Sequence, residues 1–209
     1  MSRSKKTLSA TASAVLDRFG LEGADFPSLI DAYSGESLLI VGSGRSVWEE
    51  TNGLPEQRHV MAVNDMGMYW PGFVTHWYSN DIDKLIHWSQ GRRDRHVHRY
   101  GWGWRLHSCF TRDNLPLDVH HWPLPGQGSS GLVAILVALL LGYDPITVAG
   151  IPLDNSGHFF DPPNHHNLKK DGDWSNFLGE ATDRLIERSL PLMRGRVHAL
   201  SGRIMEALG

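Results

Sequence analysis

The sequence holds a single cysteine, Cys109, among its 209 residues. One cysteine excludes an internal disulfide framework and a cysteine-rich zinc site. The longest apolar run, residues 132–141, is too short to cross a bilayer, and the basic start lacks the apolar stretch of a secretory signal. The formal net charge is only −3, so no global basic field indicates a duplex nucleic-acid partner. These absences predict a cytoplasmic protein without a membrane span.

Two residue types are instead abundant, with 12 histidines and 8 tryptophans. Hydrophobic residues make up 41% of the chain and charged residues 21%, which is typical of a folded globular domain. The length suits one domain with a small appendage. We therefore divide the chain into an N-terminal helical extension over 1–34 and a single nucleotide-binding domain over 35–209.

Short, almost continuous apolar runs alternate with helical patterns after residue 35. Such runs are typical of strands buried on both faces, and their alternation with helices predicts a parallel sheet. The pattern therefore predicts an α/β fold, a Rossmann-like mostly parallel sheet with helices on both faces. Strands are predicted at 37–41, 59–63, 73–78, 97–100, 104–110, 119–122, 145–149 and 197–200, and helices at 8–19, 26–33, near 85–88, at 132–141, at about 174–190 and after 202.

Polar and glycine residues follow several of these strands. In a sheet of this kind, ligands bind outside the carboxyl ends of the strands, so these residues are expected to line one rim. The first strand runs into a glycine turn whose backbone amides could approach a phosphate, with a charge-assisted contact from its arginine. A tight turn without a ligand is the alternative. The candidate binding residues after the strands are Gly42, Ser43, Gly44, Arg45, Ser46, Asn64, Asn80, Asp81, Gly150 and Asp154.

A second candidate site is Ser129-Ser130-Gly131, which precedes the apolar helical run. Hydroxyl groups and a glycine at a helix start favour an anion or a hydroxyl ligand. The alternative is plain N-capping of the helix.

The loop after Gly150 is rich in histidine and proline. A histidine is the commonest general base near neutral pH, and the candidates for that role are His165 first, His166 second and then His158. Together with Asp161 they could instead bind a metal ion. Because no helical ligand spacing such as HExxH is present, we favour the general base, with a solvated loop as the next alternative.

The order of these segments resembles the bacterial sialyltransferase family with a single nucleotide-binding domain, and related phage and prophage glycosyltransferase-like proteins. The matching segments are Gly42–Ser46, Ala62–Asn64, Tyr78–Asn80, Ser129–Gly131, Leu141–Tyr143, Gly150–Pro152 and Val197–Ser201. The chain departs from the family pattern at three positions, where Ser43 replaces an asparagine, Arg45 a proline and Pro152 an acid. Phe159 and Phe160 also lack the hydroxyl of the tyrosines that contact the leaving phosphate in that family.

The resemblance implies a CMP-sugar held by the glycine turn, Asn64, Asn80 and Ser130, with a loop histidine as general base. It also implies independence of metal and a homo-oligomeric assembly. We therefore predict a nucleotide-sugar-dependent glycosyltransferase without a cofactor, which uses a CMP- or UDP-linked donor and a hydroxyl acceptor.

Two alternatives stay open. The glycine turn and the Leu-Gly-Tyr segment also resemble the 6-hydroxymethylpterin pyrophosphokinase-like family, which implies Mg²⁺ and ATP. The departures from the sialyltransferase pattern favour the other alternative, a non-catalytic binding protein built on a nucleotide-sugar fold.

Overall fold

The computed structural model describes residues 7–21, 28–91, 104–107, 119–122, 124, 129–154, 156–162 and 179–209. Seven short strands form one sheet in the described part of the chain, and each of them pairs with its neighbours in parallel. The strands are β1 (Leu38–Val41), β2 (Val60–Val63), β3 (His76–Tyr78), β4 (Trp104–His107), β5 (Val119–His121), β6 (Ile146–Ala149) and β7 (Val197–Ala199).

Helices connect or flank most of these strands. They are α1 (Ala10–Phe19), α2 (Val47–Thr51), α3 (Met66–Tyr69), α4 (Ile82–Gly91), α5 (Ser130–Leu141), α6 (Glu180–Met193) and α7 (Gly202–Leu208). The first helix is capped by Ser9, whose hydroxyl accepts from the amide of Ala12, and it ends at Gly20 in the left-handed conformation. None of the helices in the described part of the chain has the length and apolar character that crossing a bilayer requires.

The strand order is β5-β4-β3-β2-β1-β6-β7. The chain therefore winds outward from β1 to β5, returns through α5 to the other side of β1, and continues to β7. The direction of winding reverses between β1 and β6. In doubly wound sheets this switch point opens a crevice at the carboxyl edge, where ligands bind.

The sheet is covered on both faces because side chains along each strand alternate between two hydrophobic clusters. Leu38 and Ile40 of β1 pack in the cluster that includes α1, α5 and α6. Leu39 and Val41 pack in the cluster that includes α2, α3 and α4. Helix α5 is buried from Gly131 to Leu141, which explains why it is apolar all round rather than amphipathic.

These features confirm the α/β fold class and the parallel sheet with helices on both faces. The described strands are slightly shorter than the predicted runs, and the third begins at His76 rather than Phe73. The predicted strand at 97–100 lies outside the described residues. The predicted helix at 174–190 is α6, which begins at Glu180 among the described residues and continues to Met193.

The predicted helix at 26–33 is wrong where the structure describes it, because residues 28–35 form turns. Asp31 has a positive φ of 58°, and its carboxylate accepts the amide of Ser9 at 2.8 Å and the Ser9 hydroxyl at 2.6 Å. Its own amide donates to the carbonyl of Leu140 at 2.9 Å. This segment therefore satisfies its backbone against the ends of α1 and α5, and these tertiary contacts override the helical spacing of its apolar residues.

Candidate functional site

The predicted rim exists, because neighbouring strands end at the same level of the sheet. Val41 pairs with Ala62 on one side and with Ala149 on the other, and Val63 pairs with Tyr78. The turns that follow these four strands therefore lie side by side at the carboxyl edge. They contain Gly42–Ser46, Asn64, Asn80 and Gly150.

The glycine turn packs directly on the turn after β6. A Cβ on Gly42 would lie 2.5 Å from the carbonyl oxygen of Gly150, and one on Gly44 would lie 2.7 Å from the same atom. Gly150 has a φ of +65°, and a Cβ there would lie 2.4 Å from the Gly42 oxygen. All three glycines are needed because two turns approach each other at a distance that only glycine allows.

This packing changes the expected role of the turn amides. The amide of Gly42 donates to Ala149 at 2.9 Å, that of Gly44 to Gly150 at 2.8 Å, and that of Arg45 to Gly157 at 3.2 Å. These acceptors are backbone carbonyls. The three amides are therefore used within the protein, rather than being directed at a phosphate as the glycine pattern suggested.

Arg45 and Ser46 are also engaged by the protein. The Arg45 Nε donates to the carbonyl of Ser156 at 2.9 Å, and its Nη2 donates to that of Pro162 at 3.3 Å, so the guanidinium group holds the 156–162 loop. The Ser46 hydroxyl donates to the carboxylate of Glu50 in a short hydrogen bond.

The loop held by Arg45 places His158 on the glycine turn. Its Nδ1 lies 2.8 Å from the hydroxyl oxygen of Ser43, and His158 and Gly44 form an antiparallel bridge. The His158 amide donates to the carboxylate of Asp161 at 2.7 Å. The other two candidate histidines, His165 and His166, lie outside the described residues.

The hydrogen bond to Ser43 determines which nitrogen of the imidazole can accept a proton. When Nδ1–H donates to the Ser43 oxygen, the lone pair is on Nε2, which is then the basic nitrogen. The opposite tautomer would accept the serine proton at Nδ1 instead. One face of the ring stacks on Phe160, with centroids 5.0 Å apart and planes 10° apart, and Phe160 in turn stacks on Tyr69 at 5.4 Å.

The two asparagines are held by hydroxyl groups. Asn64 has a φ of 55°, and its Oδ1 accepts from the Ser79 hydroxyl at 2.9 Å. Asn80 is buried, and its Oδ1 accepts from the Tyr78 hydroxyl at 2.5 Å, while its backbone amide donates to the Ser130 hydroxyl oxygen at 3.4 Å. These bonds fix the orientation of both side-chain amides at the rim.

Helix α5 begins beside Asn80. The Ser129 hydroxyl accepts from the Gly131 amide at 3.1 Å, so this side chain is the N-cap of the helix. A Cβ on Gly131 would lie 2.5 Å from the Ile151 side chain, so the glycine allows the turn after β6 to approach the helix. Twelve residues of α5 place the positive end of a helix dipole at the rim.

Two predicted residues, Asp81 and Asp154, have exposed side chains that bond to other parts of their own loops or helix. Asp81 is exposed and forms an ion pair with Lys84 at 2.8 Å, which is a surface interaction of small energy. Asp154 is exposed, and its carboxylate accepts the Ser156 amide at 2.8 Å, so it shapes the loop. Within the described ranges, no three histidine, cysteine or acidic side chains converge in a way that could hold a metal ion.

The sequence reasoning missed Glu50, which lies below the glycine turn. Its carboxylate accepts from Ser46, from the Gly150 amide at 2.7 Å and from the Ser201 hydroxyl at 2.6 Å. The spacing of Ser46 and Glu49 is that of a capping box, which predicts that Glu49 rather than Glu50 bonds near the start of α2. The sequence signal for Glu50 is an acid four residues after Ser46, following a glycine turn.

Solved structures of other proteins share this architecture. A variant of the sialyltransferase CST-II in complex with CMP superposes with a TM-score of 0.53 at 16% identity, covering 79% of this chain and 81% of that chain. The sialyltransferase CstII from Campylobacter jejuni, in complex with the substrate analogue CMP-3FNeuAc, gives a TM-score of 0.52 at the same identity and coverage. No protein-family model matches the chain, and no curated protein sequence matches it. At this level of identity the likeness concerns the fold, and the chain has a sialyltransferase-like fold.

Proposed function

We propose that this protein is a nucleotide-sugar-dependent glycosyltransferase that uses a loop histidine as general base on an acceptor hydroxyl. The observation that carries the proposal is the His158 imidazole on the Ser43 hydroxyl, 2.8 Å away, at the switch point between β1 and β6. The sialyltransferase-like fold supports it, since the solved neighbours are complexes with CMP and with a CMP-sugar analogue.

The chemistry follows from the position of the imidazole. With Nδ1–H bonded to Ser43, the Nε2 atom of His158 would accept the proton of the acceptor hydroxyl. The hydroxyl oxygen would bond to the anomeric carbon of the donor sugar as the bond from that carbon to the nucleotide phosphate oxygen breaks. The electron pair of the broken bond leaves with the phosphate, and the proton stays on the imidazole until solvent removes it.

Negative charge develops on the departing phosphate and must be stabilised. The N-terminus of α5 is our candidate for the group that stabilises it. In the glycine turn, the amides of Gly42, Gly44 and Arg45 donate to backbone carbonyls, whereas the N-terminus of α5 lies next to Asn80 with the Ser130 hydroxyl on its first turn. A helix N-terminus stabilises an anion through its dipole and first-turn amides. We therefore place the nucleotide phosphate against Ser130 rather than against Gly42 and Gly44.

The proposal is tested by ligand-dependent melting of the purified chain with CMP, UDP and ATP, each with and without Mg²⁺. A nucleotide present at a hundred times its dissociation constant should raise the free energy of unfolding by about 2.7 kcal/mol. We expect stabilisation by CMP or UDP without Mg²⁺, followed by sugar transfer from the matching donor. Stabilisation by ATP with Mg²⁺ alone would replace the proposal with the pyrophosphokinase alternative.

The general base is tested by single substitutions at all three candidates, His158→Ala, His165→Ala and His166→Ala. Removing the base should lower kcat by about 10² to 10⁴. His198→Ala is the matched control, since that histidine is exposed in the middle of β7. If all three candidate variants transfer sugar at the rate of the control, the general-base assignment is wrong.

One observation favours a second candidate function, a non-catalytic binding protein on the same fold. The amides of Gly42, Gly44 and Arg45 in the glycine turn donate to backbone carbonyls of the protein. This candidate predicts stabilisation by a nucleotide without any transfer from its sugar derivatives, whereas the enzyme requires both.

A further inference from the structure

Glu50 receives three hydrogen bonds from three separate segments of the chain. The Ser46 hydroxyl precedes α2, the Gly150 amide follows β6 at 2.7 Å, and the Ser201 hydroxyl follows β7 at 2.6 Å. These segments are distant in sequence and meet only at the switch point. A carboxylate that accepts several hydrogen bonds is held more firmly than a neutral acceptor, because each bond is charge-assisted.

The hydroxyls of Ser46 and Ser201 bond to this carboxylate instead of capping the helices that follow them. Ser46 is the N-cap residue of α2 and Ser201 is that of α7, yet neither side chain makes a capping hydrogen bond to its helix. A capping bond typically contributes about a kcal/mol to stability. Two helix starts therefore forgo their usual capping bond, and both hydroxyls are directed to one acid below the glycine turn.

The carboxylate connects to the candidate base through the backbone. Glu50 accepts the Gly150 amide, the Gly150 carbonyl accepts the Gly44 amide at 2.8 Å, and Gly44 bridges to His158. The contact between Gly42 and Gly150 leaves no room for a side chain, so a shift of Gly150 would move the glycine turn. The position of Gly150 thus sets where Ser43 and His158 meet.

We propose that Glu50 is a positioning residue of the site, an internal anion that holds the turns after β1 and β6 in register so that Ser43 and His158 align. The proposal rests on the proposed glycosyl transfer for its effect on rate.

The test compares Glu50→Ala and Glu50→Gln with Glu49→Ala. Glu49 is the adjacent acid of α2 and is exposed, so it controls for charge and helix propensity. Glu50→Gln preserves the side-chain volume and one acceptor oxygen, so it should recover part of what Glu50→Ala loses, and it serves alone if Glu50→Ala does not fold. Melting curves establish that each variant is folded.

Two readouts separate positioning from general stability. In a ¹H–¹⁵N spectrum, the amides of Gly44 and Gly150 and the ring of His158 should shift in Glu50→Ala, less in Glu50→Gln, and not in Glu49→Ala. In transfer assays, Glu50→Ala should lower kcat by about 10-fold to 100-fold, the range expected for a small misplacement of catalytic groups, with the donor KM unchanged because the phosphate binds at α5.

The outcomes are distinct for the two proposals. Unshifted Gly44, Gly150 and His158 signals in folded Glu50 variants, or a kcat equal to that of Glu49→Ala, would overturn the positioning role. If the wild-type protein shows no transfer activity, the glycosyltransferase proposal fails. The positioning role still stands in that case if the signals shift most in Glu50→Ala and less in Glu50→Gln, relative to the wild type.

Discussion

Two imidazole–hydroxyl pairs lie at opposite edges of the same sheet. At the carboxyl edge, His158 Nδ1 lies 2.8 Å from the Ser43 oxygen. At the amino edge, His76 Nε2 lies 2.7 Å from the Tyr143 oxygen. The two hydrogen bonds are nearly equal in length, so the bond itself does not distinguish a functional pair from a structural one.

Their surroundings differ. His76 is 0% exposed, and burial lowers its pKa to about 3, with the neighbouring His59 imidazole acting in the same direction. Tyr33 packs edge-on against it at 5.1 Å and stacks on Tyr143 at 4.8 Å. Burial also raises the pKa of Tyr143, and Tyr33 and Glu36 add to the effect. This pair stays neutral at physiological pH and belongs to the core, whereas His158 is only half-buried, on a loop at the rim.

The largest expected difference between the pairs is in stability. His76→Ala leaves a cavity and an unpartnered buried Tyr143 hydroxyl, so it should lower the free energy of unfolding by roughly 3 kcal/mol. His158→Ala should lower it by under about 1 kcal/mol, because the side chain is half-buried in a loop. Urea denaturation of both variants measures the difference. Equal losses would mean that the rim pair is a structural element as well.

A second difference is in the dependence of stability on pH. The pKa of His76 is about 3 in the folded protein and about 6.5 in the unfolded chain, so below pH 6.5 the unfolded chain binds a proton that the folded protein does not. The contribution of His76 to the free energy of unfolding is therefore lost as the pH falls from 6.5 towards 3, at roughly a kcal/mol per pH unit. Above pH 6.5 this group adds no slope.

His76→Gln isolates this contribution, since glutamine can bond to the Tyr143 hydroxyl without titrating. Between pH 6.5 and 5 we expect denaturation midpoints to fall in the wild type and to stay flatter in His76→Gln. Parallel curves for the two proteins would show that His76 is protonated in the fold.

The contrast also shows what the sequence can predict. Apolar runs and strand-terminal polar residues located the rim, because sheet topology brings the ends of parallel strands together. Nothing local pairs Ser43 with His158, which is 115 residues away. The glycine turn was identified from its spacing, but the spacing does not show what the glycines contact, since glycine permits close approach to a backbone as well as to a phosphate.

Substituting the hydroxyl at the rim tests how far Ser43 determines the chemistry of His158. Ser43→Ala removes a hydrogen bond of about 1 kcal/mol, so we expect a loss of about fivefold in kcat/KM for transfer. The ¹⁵N shifts of the His158 ring should move towards those of an even mixture of tautomers. Tyr143→Phe is the matched change at the other edge, and it should leave kcat/KM unaltered. A Ser43→Ala protein with wild-type ring shifts would exclude the proposed control of the tautomer.

The smallest expected effect comes from the ring that stacks on His158. Phe160 is 43% exposed, yet its ring lies nearly parallel to the imidazole with the two centroids 5.0 Å apart, so it limits the rotation of the His158 ring. Phe160→Leu removes this stacking contact and keeps an apolar side chain, so we expect kcat/KM for transfer to fall by about twofold, the equivalent of roughly 0.4 kcal/mol for a weak, exposed contact. Transfer assays measure this, with Phe160→Tyr expected to preserve kcat/KM. Phe73→Leu is the control, since Phe73 is 45% exposed and precedes β3 at the amino edge. If Phe160→Leu transfers sugar at the rate of this control, the Phe160 ring only covers the loop, and of the two contacts only the hydrogen bond to Ser43 orients the imidazole of His158.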